Sequence, residues 1–133
     1  MHQKNWLFVL LLWCSAADAT QYVEHDQRVF FAQDKQKLIA VDSQTARSIE
    51  FRLRVREDIV AVREGRASIA VATDQRLLAF SVLTGWRPLR LELREQLTRL
   101  RASGFSVFAE TTQRILTFNG VTGKWFVRRK SPR

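Results

Sequence analysis

The 133-residue sequence predicts an all-β fold built from three copies of one unit. Two observations carry this prediction. Short β-branched or aromatic runs alternate with polar turns, and one pattern recurs along the chain, with Leu38, Leu77 and Ile115 at spacings of 39 and 38 residues. An apolar content of 46 % supplies a hydrophobic core and argues against disorder. We therefore expect one domain over 20–133, with repeats at about 20–57, 58–96 and 97–133.

An export signal is predicted ahead of the first repeat. Residues 6–17 form an uncharged run that Asp18 ends, which is too short to span a membrane as a helix. Residues 17–19 read Ala-Asp-Ala, a small-x-small cleavage site, so we expect a signal peptide over 1–19. The mature chain would be periplasmic or secreted, without a transmembrane span. The alternative is an uncleaved anchor. Cleavage removes Cys14, the single cysteine, and leaves His25 as the only histidine.

In the first repeat, the runs at 28–32, 37–42 and 48–55 predict strands. Gly85 and Gly123 permit a positive φ in the last turn of the second and third repeats, where Ala46 of the first repeat predicts a strained or reshaped turn. Short polar side chains that can bond the backbone precede these turns. They are Asp42, Ser81 and Asn119.

The second and third repeats raise two local questions. Pro88 falls within the final strand of the second repeat, which predicts that this strand lies at a sheet edge. Residues 90–102 place Leu93, Leu97 and Leu100 at helical spacing, so a short helix is one alternative there. The repeat register instead makes 96–101 the first strand of the third unit, and we favour that interpretation. Four strands per unit give about a dozen strands in all.

The repeated segments resemble the pyrroloquinoline-quinone-like β-propeller repeat. They read Leu-Ile-Ala-Val-Asp-Ser-Gln-Thr-Ala at 38–46, Leu-Leu-Ala-Phe-Ser-Val-Leu-Thr-Gly at 77–85 and Ile-Leu-Thr-Phe-Asn-Gly-Val-Thr-Gly at 115–123. Trp86 and Trp125 follow where that family often has an aromatic residue. The first copy lacks both the Gly and a Trp. The resemblance implies four-stranded, blade-like repeats, in a family of quinone-dependent dehydrogenases and non-catalytic envelope scaffolds.

The dehydrogenases of that family use calcium-ligating carboxylates, an aromatic platform and adjacent cysteines. No positions of this sequence match those sets, so the resemblance implies the blade architecture and a scaffold role, with no cofactor. Three blades are also too few to close a ring, because propellers usually need four to eight. A homodimer closing six blades would hide the edge strands at both ends. A β-trefoil and an open three-blade assembly are the alternatives.

A net charge of +9 is concentrated in the last strand of each repeat. Residues 51–56 alternate strictly, which in a strand places Phe51, Leu53 and Val55 on one face and three arginines on the other. Residues 89–94 also alternate, with Arg90 and Arg94 flanking Glu92, and the tail at 128–133 adds four positive charges. These residues predict a basic outer rim that binds an anion or a partner. They are Arg52, Arg54, Arg56, Arg90, Arg94, Arg128, Arg129 and Lys130.

Catalytic residues are poorly supplied. His25 stands alone, whereas metal sites need several converging ligands, and no phosphate loop or nucleophile elbow is present. We therefore expect no enzyme activity and no metal site. The sequence predicts a binding or scaffold module of the bacterial cell envelope, with an envelope protein or an anionic envelope component as its partner. The alternative is a polyanion-binding protein for lipid headgroups, acidic glycans or nucleic acid, of which export disfavours nucleic acid.

Overall fold

The computed structural model describes residues 27–132, which form eleven β-strands and no helix. The strands make three antiparallel sheets in which neighbours in sequence are neighbours in the sheet. The first sheet contains β1 (Val29–Asp34), β2 (Lys37–Asp42) and β3 (Arg47–Arg52). The second contains β4 (Ile59–Glu64), β5 (Ser68–Thr73), β6 (Arg76–Ser81) and β7 (Gly85–Arg90). The third contains β8 (Leu97–Ser103), β9 (Ser106–Thr111), β10 (Arg114–Asn119) and β11 (Lys124–Arg129).

The all-β prediction is confirmed for the described residues. The strand expected at 96–101 is β8, so the helical spacing of its leucines does not produce a helix. Pro88 lies in β7, an edge strand, as its missing N–H requires. The predicted signal peptide, His25 and the first strand of the first repeat lie outside the described residues.

The three sheets stack face to face, and the second lies between the other two. One face of β5 and β6 packs on the first sheet, where Ile69 and Phe80 meet Leu38. The opposite face packs on the third sheet, where Leu77 meets Phe118. Every residue of β5 is therefore buried, whereas the first and third sheets each bury one face and leave the other open.

Two tryptophans connect adjacent sheets near β3, β7 and β11. These are the last strands of the three sheets, and we will call them the outermost strands. The indole Nε1 of Trp86 in β7 donates to the carbonyl of Ile49 in β3 at 3.1 Å. Trp125 in β11 makes the equivalent bond to the carbonyl of Arg87 in β7, also at 3.1 Å. Each indole also packs on a phenylalanine of its own sheet, with ring centroids 5.1 and 5.3 Å apart. The repeat thus supplies the same inter-sheet contact twice.

The turns before the outermost strands follow the predicted chemistry. The side-chain oxygens of Asp42, Ser81 and Asn119 each accept a hydrogen bond from the backbone N–H two residues ahead. Ala46 has a φ of 57°, in the left-handed region that Gly85 and Gly123 occupy with φ of 79° and 74°. The first repeat therefore keeps the turn and accepts the backbone strain of a non-glycine residue there.

The outermost strands are shorter than the alternating pattern predicts. Strand β3 ends at Arg52 and β7 ends at Arg90. The prediction that the last strand of the first repeat continues to Val55 is therefore wrong. Val55 is 89 % exposed and its counterpart Leu93 is 86 % exposed, instead of facing a core. The physical reason is a turn after each strand, in which a buried glutamate side chain bonds the backbone three residues before it.

Candidate anion-binding surface

A buried charged cluster closes the loop after each of the first two outermost strands. In one copy, Glu57 accepts hydrogen bonds from the guanidinium of Arg76 at 2.8 and 2.9 Å and from the hydroxyl of Thr73 at 2.7 Å. Its Oε1 also accepts the backbone N–H of Arg54 at 3.0 Å. The side chain of Glu57 is fully buried and that of Arg76 is 11 % exposed. This carboxylate ties a loop and two strands together.

The second copy repeats the cluster 38 residues later. Glu95 accepts from the guanidinium of Arg114 at 2.8 and 2.6 Å, from the hydroxyl of Thr111 and from the backbone N–H of Glu92 at 2.9 Å. These residues were not among those predicted from the sequence. The sequence contains a signal for them, because the glutamate, the threonine and the arginine each recur 38 residues later. The repeat was recognised instead from its apolar residues and its turns. We will call these two sets the Glu–Thr–Arg clusters.

Both glutamates of the clusters remain ionised well below neutral pH. Burial alone raises the pKa of Glu57, but hydrogen bonds from Arg76, Thr73 and the backbone of Arg54 outweigh it and lower that pKa to about 2. In Glu95 burial acts in the same direction, and hydrogen bonds from Arg114, the backbone of Glu92 and Thr111 lower the pKa to about 2. Arg76 and Arg114 are therefore neutralised by ion pairs within the fold, although the side chain of Arg114, which is 8 % exposed, also lines the groove described below.

The predicted rim residues lie at one end of the sheet stack, at or after the ends of the outermost strands. Arg52, Arg90 and Arg129 are equivalent, since each is the last residue of β3, β7 or β11. Of the remaining five, Arg128 lies within β11, Lys130 directly follows it, and the others lie in the loops after β3 and β7. All eight are exposed except Lys130, which is half-buried.

Three of these arginines line one groove of about 810 Å³ between the loop after β3 and the loop after β7. They are Arg54, Arg90 and Arg94. None of the three forms an ion pair with another residue of the range 27–132, although Arg54 donates to the side-chain oxygen of Gln75 at 3.3 Å. We will call this site the arginine groove.

Two of the three carboxylates beside the arginine groove are paired with arginines, and the third, Asp74, is hydrogen-bonded to the backbone but is in no ion pair with a described residue. Glu95 belongs to its cluster, Asp74 accepts the backbone N–H of Asp58 at 3.1 Å, and Glu92 is paired with Arg129. The pairing with Arg129 lowers the pKa of Glu92. The groove therefore presents three guanidinium groups, which bind phosphate or carboxylate oxygens through paired N–H donors.

The other predicted rim residues do not join this groove. Arg129 and Lys130 border a second groove of about 600 Å³ at the end of the third sheet. Lys130 is paired there with Glu110 at 2.7 Å, which lowers the pKa of that carboxyl. Arg52, Arg56 and Arg128 line neither groove. The structure thus divides the predicted rim into a groove with three available arginines and a region whose charges are partly paired.

Within residues 27–132, no three His, Cys, Asp or Glu side chains come close enough to hold a metal ion. The same part of the chain contains no helix with the length and apolar character needed to cross a membrane. No protein-family model matches the sequence, and a search of curated proteins found no match.

Proposed function

We propose that the mature chain is a non-enzymatic binding or assembly module of the bacterial cell envelope, exported by its N-terminal signal and built from three blade-like repeats of the propeller type. Consecutive antiparallel meanders of three, four and four described strands, stacked face to face, support this blade arrangement over a β-trefoil. The envelope location rests on the signal-peptide pattern at 1–19 and on the resemblance of the repeats to envelope scaffolds.

One observation carries the binding role: the buried charges of the fold are paired, while the arginines of the groove are not. Glu57 and Glu95 neutralise Arg76 and Arg114 inside the sheets. The charge left on the surface is mostly arginine, whose planar guanidinium suits carboxylate and phosphate recognition. An acidic segment of an envelope protein is the partner that fits this surface best.

A second candidate function is binding of an anionic polymer or lipid surface. The observation that favours it is the arginine groove itself, in which Arg54, Arg90 and Arg94 lie together at one end of the molecule. Arg94 has a φ of 63°, a left-handed conformation that costs about 1 kcal/mol for a non-glycine residue. Such strain is common at binding sites, which supports a role for this loop in recognition.

The test compares two variants with the same loss of charge. One replaces Arg54, Arg90 and Arg94 of the arginine groove by Gln. The control replaces three exposed arginines away from the groove by Gln, namely Arg47, Arg63 and Arg66. Each protein is immobilised and exposed to envelope extract, and each is titrated with anionic and with neutral phospholipid vesicles at several salt concentrations.

We expect the wild type and the control to retain one defined envelope protein, and the groove variant to lose it. If the groove variant instead loses only its salt-dependent affinity for anionic vesicles, by tenfold or more, the polyanion function is supported. Equal losses in both variants would show that net charge alone drives binding, and would contradict a role for the groove in either function.

A further inference from the structure

The open face of the first sheet has an apolar part formed by β1 and β2, beside which β3 contributes the polar Ser48 and Glu50. Strand register places Phe30 opposite Val41 and Ala32 opposite Ile39, so these four side chains share one face. The other face of the sheet carries Leu38 and is packed on the second sheet. Phe30 is 44 % exposed, and no described residue from another sheet joins these four side chains in a core.

The repeat shows what this face does elsewhere in the molecule. By the same register, its four positions correspond in the second sheet to Ile69, Val71, Leu78 and Phe80. All four are at most 1 % exposed, because the first sheet covers them. In the third sheet the matching positions, among them Phe118, are buried against the second sheet. The second and third sheets thus each use this face to contact the sheet before them, and within residues 27–132 the first sheet leaves it open.

The third sheet leaves the complementary face open. Its Phe108, Thr117 and Phe126 lie side by side across β9, β10 and β11. The corresponding faces of the first and second sheets pack onto the sheet that follows them. Phe108 and Thr117, together with Arg99 and Arg101, line a shallow groove of about 530 Å³. One chain therefore carries both surfaces of a third inter-sheet contact. Its own first and third sheets do not form this contact, because the second sheet lies between them.

At the centre of these two open faces, the side chains differ from their counterparts in the contacts inside the molecule. One face has a smaller residue and the other has a larger one. Where Trp86 and Trp125 reach across to the preceding sheet, the first sheet has Ser48. Their acceptors, at Ile49 and Arg87, correspond in the third sheet to Phe126, which is 57 % exposed. The missing indole on one face is thus matched by an added phenyl ring on the other.

We propose that the open face of the first sheet binds the open face of the third sheet of a second copy, head to tail. Two copies joined through two such contacts form a closed six-sheet ring. This inference goes beyond the proposed function, because it depends on the repeat register and not on the identity of an envelope partner. It also predicts that the arginine groove remains exposed in the assembly, since its loops lie at the ends of the sheets and not on their faces.

The test measures molar mass in solution for the full mature chain by light scattering over a concentration series. Ile39→Lys places a charge on the first sheet's open face, and Thr117→Lys places one on the third sheet's open face. Thr117 is exposed and Ile39 is half-buried in the single chain, and neither side chain belongs to a core cluster, so each variant should fold with a Tm close to that of the wild type. Val55→Lys, at an 89 % exposed loop position, is the matched control.

We expect a dimer for the wild type and the Val55→Lys control, and monomers for each face variant, with the dimer Kd raised by about a hundredfold or more because a lysine is buried without a partner. A mixture of the two face variants should form a 1:1 complex, since one intact contact remains between them. Binding to envelope extract or anionic vesicles is measured in the same samples and should persist in both variants, which separates this inference from the proposed function.

Three outcomes would overturn the inference. A monomeric wild type would do so, whether the chain's own N-terminal segment or another protein covers the face. Loss of the dimer in the Ile39→Lys variant alone would indicate pairing of two first sheets. A mixture of the two variants that stays monomeric would exclude head-to-tail contact.

Discussion

Removing the carboxylate of Glu95 should strongly destabilise the protein. Its side chain is fully buried and accepts four hydrogen bonds, two of them from Arg114, whose side chain is 8 % exposed. Glu95→Ala leaves that guanidinium buried without a counter-charge, a change that costs about 3–5 kcal/mol. The lowered pKa of Glu95, about 2 instead of 4.5, corresponds to roughly 3 kcal/mol of the same interaction.

The measurement is urea unfolding followed by circular dichroism at pH 7. A second variant, Glu95→Leu with Arg114→Met, removes both charges, and we expect its free energy of unfolding to lie within about 2 kcal/mol of the wild type. Glu50→Ala removes a carboxylate that is 56 % exposed and should cost less than about 1 kcal/mol. The reasoning is refuted if Glu95→Ala costs no more than Glu50→Ala, or if the double variant is as unstable as Glu95→Ala.

Three further predictions concern acid stability and the turns before β3, β7 and β11. The carboxyls of Asp42, Glu57 and Glu95 have folded pKa values of about 2, below their ordinary values, so their contribution is complete above about pH 5 and is lost as the pH falls towards 2. Tm scans from pH 7 to 2 should show this loss, and a flat profile would contradict it. Ala46→Gly should raise the free energy of unfolding by about 0.5–1 kcal/mol and Gly85→Ala should lower it by about 1 kcal/mol, because both positions have positive φ. Urea titrations in which both variants change the free energy of unfolding in the same direction would refute this. Gly120→Ala should lower Tm by about 8 °C or more, because the added Cβ would lie 1.8 Å from the carbonyl oxygen of Phe105; an unchanged Tm would show that the turn can move.

The fold class and the repeat were predictable because they depend on local residue patterns. Alternating apolar residues and turn chemistry recur in each unit, and Pro88 identifies an edge strand by a property of one residue. The ends of the outermost strands were not predictable in this way. Leu53 and Val55 suggest a continuous strand, but the buried carboxylate of Glu57 draws the chain into a turn after Arg52.

The rim residues were predicted as a set, but their grouping depends on tertiary structure. The alternation of apolar and basic residues along the chain does not predict that Arg54 and Arg94 share a site, because they lie in loops that follow strands of different sheets. The structure brings them to one groove because those sheets are stacked. Conversely, Arg76 and Arg114 contribute to net charge in any sequence count, and only the Glu–Thr–Arg clusters show that they are neutralised inside the fold.

The enclosed position of the second sheet has a consequence for how the molecule opens. Each sheet contacts only its neighbours, so the stability of the domain is close to a sum over sheets and over the contacts between them. In a single copy that is not joined to a second, losing the first or third sheet breaks one such contact, whereas losing the second breaks both. The amide protons of β5 and β6 should therefore exchange with solvent last, and partial unfolding should begin at either end of the stack.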